Sequence, residues 1–143
     1  MKYGDLLCSI DDKNGVDEFR QFLAEGGDIH RSHPNSGLSL MHYACEHQNE
    51  SLIRALFMAD KDLLNTRTAC DYPPIFQALD IDIDGAIQTG HPISFETTRL
   101  MLELGADPNL KDQKARTLKE FVQIYGDSVV REFDKLVTPL LKE

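Results

Sequence analysis

The strongest constraint on this chain is a short phrase that returns after amphipathic helical runs. Gly26-Gly27-Asp28-Ile29-His30 recurs as Gly105-Ala106-Asp107-Pro108-Asn109. Before the first phrase, Val16, Phe19, Phe22 and Leu23 stand three and four residues apart; before the second, Leu100, Met101 and Leu104 do the same. That spacing gathers apolar side chains into a stripe on one helix face, which must be buried against another element. Glycine just past the last apolar turn ends such a helix, because it takes a left-handed backbone without strain. Between the two phrases lie Gly37-Leu38-Ser39-Leu40-Met41-His42-Tyr43-Ala44-Cys45, then Leu52, Ile53, Leu56 and Phe57, then Leu63-Leu64-Asn65. Each unit reads as turn, short helix, loop, longer helix, turn.

On these residues the chain resembles the ankyrin-repeat family, whose unit of about 33 residues carries a Thr-Pro-Leu-His-x-Ala stretch and ends on Gly-Ala-Asp-x-Asn. Ser39 to Ala44 matches the first stretch with Leu40 in place of Pro, and Tyr72-Pro73-Pro74-Ile75-Phe76-Gln77-Ala78 matches it with Phe76 in place of His. His30 to Asn65 spans 35 residues and Asn65 to Asn109 spans 44, so the excess over the period is expected in loops, the larger part in residues 82–92. Thr117-Leu118-Lys119-Glu120 is a capping box that opens a fourth, atypical unit. Its outer helix is expected to run through Leu136 and Val137 toward Leu140-Leu141, and Leu6, Leu7 and Ile10 are expected on the inner helix of the first unit. The resemblance implies an all-α solenoid of stacked helix-turn-helix units with short hairpin turns, forming one domain over 1–143. Its units are 4–33, 34–67, 68–111 (with the 82–92 insertion) and 112–143.

The charge of −9 is uneven: residues 1–100 carry 16 acidic and 8 basic side chains, residues 101–143 carry 8 and 7. Such a field repels phosphate backbones and anionic lipid and speeds encounter with basic partners. Nucleic acid and membrane are therefore disfavoured as ligands. No apolar run approaches the ~18 residues of a membrane span, and the first residues lead into no signal-peptide core, so a cytoplasmic protein is expected. Cys8, Cys45 and Cys70 form no metal-like cluster and read as reduced thiols, buried in the case of Cys8 and Cys45.

Asp80-Ile81-Asp82-Ile83-Asp84-Gly85-Ala86-Ile87 fits the first eight positions of a calcium-binding EF-hand loop, but the twelfth is His91, a poor ligand for a hard cation. A calcium-responsive module with Asp80, Asp82 and Asp84 as ligands stands beside the plainer reading of a solvated acidic loop. His42, Cys45 and Glu46 lie at helical spacings that imitate a nucleophile or metal site. The resemblance implies instead a structural His42, its ring nitrogens bonding neighbouring backbone, and a core-facing Cys45. His30 and His33 read as surface residues. No nucleophile elbow, phosphate loop, dinucleotide turn or zinc-protease motif occurs, so neither catalysis nor a cofactor is expected.

Laid on the repeat, Asp11 and Asp12, then Glu46 and Glu50, then Asp80, Asp82 and Asp84 fall at the loops joining inner to outer helices. These loops are expected to form one acidic rim, with Asp80, Asp82 and Asp84 among the partner-binding residues, beside the plainer reading of solvated loops. Glu46 and Asp80 are taken to close the first helix of their units, where helix-dipole capping does not account for a negative charge. The family binds proteins through hairpin tips and the exposed side of inner helices. That implies contacts at Asn35, Arg67, Thr68, Asp71 and Tyr72 near tips, and at Tyr43, Glu46, His47, Gln77 and Asp80 on inner helices. The 82–92 insertion is expected to stand off the stack. The function expected is a monomeric, non-catalytic protein-binding module, in its more concrete form an acidic immunity protein masking a basic nuclease toxin. An adaptor or host-directed effector is the alternative.

Overall fold

The computed structural model of the protein describes residues 3–9, 15–67, 69 and 71–141. Among the described residues there are eight α-helices and no strand: α1 (Tyr3–Ser9), α2 (Gly15–Ala24), α3 (Leu40–Glu46), α4 (Glu50–Ala59), α5 (Pro74–Thr89), α6 (Glu96–Leu104), α7 (Leu118–Gln123) and α8 (Asp127–Leu136). The apolar spacing explains the packing. Phe19 and Phe22 of α2, Leu52, Ile53 and Leu56 of α4, and Leu100 and Met101 of α6 are all buried. The α2 stripe is narrower than its spacing suggests, because Leu23 is 41% exposed. Helices adjacent in the chain pack together as α1 with α2, α3 with α4, α5 with α6 and α7 with α8. Beyond these pairs, α2 contacts α4, α4 contacts α6, and α3 contacts α5 most extensively of all.

The helix stops work as the glycines require. Gly26 has φ +81° after α2, and Gly105 has φ +112° as the C-cap of α6. Both capping boxes form: Ser39 with His42 opens α3, and Thr117 with Glu120 opens α7. After each glycine stop the aspartate closes a tight turn on itself, Asp28 Oδ1 accepting from the His30 amide and Asp107 Oδ1 from the Asn109 amide, both at 2.9 Å. The two turns therefore share geometry as well as sequence. After α4 the chain turns into a 3-10 helix, Lys61–Asn65, which buries Leu63 and Leu64.

Two expectations are corrected here. Residues 82–89 are not a loop: α5 runs for 16 residues against 7 for α3, so most of the insertion is helix. Ile75, Leu79 and Ile83 extend one apolar row at four-residue spacing and all are fully buried, which keeps the segment helical until Gly90 at φ +74°. The last outer helix is also shorter than expected. It ends at Leu136, and Thr138–Leu140 turns into a 3-10 helix after it, with Pro139 unable to extend an α-helix. Ile10 lies outside the described residues.

Candidate protein-binding face

The face is built from the start of α3. The Ser39 amide donates to His42 Nδ1 at 3.1 Å, so that nitrogen is unprotonated and Nε2 carries the hydrogen. Nε2–H donates to the Tyr72 carbonyl at 2.8 Å, tying α3 to the segment that leads into α5. Burial pushes the His42 pKa down to about 4, and the bond to Tyr72 opposes this only in part. The ring is neutral and fully engaged. The Tyr72 ring meets it edge-on at 5.2 Å, and the Tyr72 hydroxyl donates to Gln77 Oε1 on α5. Cys45 is buried too, and burial holds its thiol far above the ordinary range, so the thiolate needed for nucleophilic chemistry is disfavoured. Cys70 and the Cys8 side chain lie outside the described residues.

The outward residues of α3 and α5 are exposed to a similar degree. Tyr43 and Glu46 on α3 are half-buried, as are Gln77 and Asp80 on α5, while the residues flanking Tyr43 and Gln77 are buried. His47 caps the end of α3 and is exposed. Tyr43 shares a hydrogen bond with Ser36 in the 33–38 turn, where Asn35 is exposed at the tip. Arg67 is anchored rather than open: it donates to the Lys111 carbonyl at 2.7 Å and to the Asp71 carbonyl and carboxylate. Asp71 takes φ +56° at that tip. Thr68 lies outside the described residues.

The acids depart most from expectation. Asp82 is 6% exposed and is no contact residue. Its Oδ2 accepts from the Thr98 amide and hydroxyl, both at 2.8 Å, and its Oδ1 from the Thr97 amide and from Gln48 Nε2. It thus satisfies the first free amides of α6 from a distant position, where the positive end of the helix dipole favours a carboxylate. Asp80 does not close a helix but lies within α5, and its Oδ1 accepts from the Tyr125 hydroxyl at 2.9 Å. Asp84, one turn on, is half-buried, and burial followed by the charge of Asp80 raises its carboxyl above the usual value. The continuous rim is therefore broken at Asp82, and Asp11 and Asp12 lie outside the described residues. The calcium loop is corrected as well: a helix turns Asp82 away from Asp80 and Asp84, and no three metal-binding side chains converge among the described residues. His30 is a surface residue 3.1 Å from Asp60, and His33 accepts from the Asn35 and Ser36 amides.

Next to Asp80 the surface opens into a cleft of about 170 Å³. Tyr72, Phe76, Gln77 and Asp80 line it from the α5 side. Asp112, Gln113, Arg116 and Phe121 line it from the other. Asp112 is 4% exposed and holds Arg116 at 2.8 Å. Burial alone would raise its carboxyl, but the Arg116 and Lys114 amides and the Arg116 guanidinium hold it below the usual range. Arg116 lies over the Phe121 ring at 5.1 Å, and Phe121 meets Phe76 edge-on at 5.8 Å. Burial and the bond to Asp80 push the Tyr125 phenol well above its ordinary value.

Three expected contact residues, Tyr72, Gln77 and Asp80, thus meet in one cleft. Asp112, Arg116 and Phe121 were not foreseen there, nor was the bond from Tyr125 to Asp80. The one sequence signal of the first two is Asp-x-x-x-Arg directly before the Thr117 capping box. No protein-family model matches the chain, and no curated protein matches it.

Proposed function

We propose that the protein is a non-catalytic binding module of ankyrin-repeat type that recognises a basic protein through the exposed side of α3 and α5. The matched exposure of Tyr43 and Glu46 with Gln77 and Asp80 on two directly packed helices carries this reading. Supporting the repeat are the identical aspartate turns after α2 and α6, the His42 bond to the following turn, and Asn65 Oδ1 accepting from the Asp107 amide at 2.9 Å. Half-buried tyrosines beside carboxylates suit protein contacts, since aromatic rings anchor and charge steers encounter. Masking of a basic surface, as by an immunity protein, is the version that the net charge favours.

The test is affinity capture at low and moderate salt with wild-type protein, the paired variant Tyr43→Ala/Glu46→Lys, and Arg54→Ala on α4 as the control face. A basic protein retained by wild type and Arg54→Ala but lost from the paired variant is the expected result. Equal capture by all three would overturn the assignment of the face.

A further inference from the structure

Resting on that reading, we infer that the cleft beside Phe121 receives a guanidinium group, the side chain of one arginine on the partner. Its size suits one side chain. Its charge is unbalanced: Arg116 is neutralised by Asp112 in a close pair, so Asp80 is the uncompensated charge of the lining. Only Oδ1 of Asp80 is taken, by the neutral Tyr125 hydroxyl; Oδ2 accepts no hydrogen bond from any described residue. Gln77 Oε1 accepts from the Tyr72 hydroxyl and keeps a second lone pair as an acceptor. The half-buried rings of Tyr72 and Phe121 line the same opening.

A free carboxylate oxygen beside ring surfaces is a site for a cation that is planar and weakly hydrated. Arginine fits better than lysine, since it stacks on aromatics while its fork bonds a carboxylate. An apolar guest would leave the Asp80 oxygen dry and unpaired, which is costly.

The experiment titrates isotope-labelled protein with acetyl-arginine amide, acetyl-citrulline amide (its neutral isostere) and acetyl-leucine amide, following backbone amide signals. Saturable shifts at Gln77, Asp80, Gln113 and Phe121 are expected with arginine, and citrulline should bind at least about tenfold more weakly. Asp80→Asn keeps an acceptor for Tyr125, so the fold is retained, yet arginine affinity should fall about tenfold. Tyr125→Phe should leave arginine binding intact or tighter, because it releases Oδ1. Equal response to arginine and citrulline, preference for leucine, shifts scattered away from the cleft, or unchanged affinity in Asp80→Asn would overturn the inference. If a captured partner depends on Tyr43 and Glu46 while the arginine probe leaves the cleft unmoved, this inference fails and the binding face stands. Arginine binding at the cleft with no such partner supports it alone.

Discussion

The α3–α4 and α5–α6 junctions solve one problem in two ways. Between α3 and α4 only three residues intervene, and Asn49 caps α4 from the adjacent position, its side chain accepting from the Leu52 amide at 3.1 Å. Between α5 and α6 the first helix overruns, the chain returns through Phe95 at φ +52°, and no neighbouring side chain caps α6. The cap comes from Asp82, back in α5. A local cap leaves its helix free to end early. A remote cap requires the preceding helix to continue until its carboxylate arrives. What resembles an acidic insertion is thus a structural brace, and Gln48, donating to Asp82 at 3.1 Å, couples the two junctions.

The largest effect should follow from removing the remote cap. Asp82→Ala leaves buried amides of α6 without an acceptor and should cost about 3 kcal/mol in urea unfolding. A loss below that of the local cap would break the comparison. Next comes pH. The His42 pKa is near 4 when folded against 6.5 in the free side chain, so the unfolded chain binds more protons between these values. The associated stability is fully present above pH 6.5 and is lost as pH falls toward 4; from pH 7 to pH 5 the loss should be about 2 kcal/mol. His42→Gln should flatten that slope, and an unaltered slope in the variant would place its origin elsewhere. Asn49→Ala removes the local cap and should cost about 1 kcal/mol, with Asp82→Asn falling between the two alanine variants. Smallest is the exposed Glu50–Arg54 pair on α4, 3.0 Å apart, whose removal by Glu50→Gln should change stability by no more than about 0.5 kcal/mol.

Several elements were legible from local chemistry. Gly26 and Gly105 stop helices, Ser39 and Thr117 open them, and the spacings of α2, α4 and α6 pick out the buried apolar residues of those three helices. His42 bonds neighbouring backbone on both sides, as its place in the resembled motif implied. The site was legible only in part. Tyr72, Gln77 and Asp80 line one cleft, but Asp82, Asp84 and Asp80 are spaced alike in sequence and meet three different environments. An alternating Asp-Ile run carries equal signals for loop and helix until the row Ile75, Leu79, Ile83 is seen buried.

Sequence alone determined the helix ends that carry a local cap or a glycine stop, and the apolar faces of α2, α4 and α6, because caps, glycine turns and helical spacing act over four residues or fewer. Tertiary structure decided what each carboxylate does. Asp82 became a cap because α6 starts beside it, and Asp80 a partner of Tyr125 because that residue, 45 positions on, folds back against α5. The reason is physical: a carboxylate's role depends on which donors reach it and how much water remains, and packing sets both.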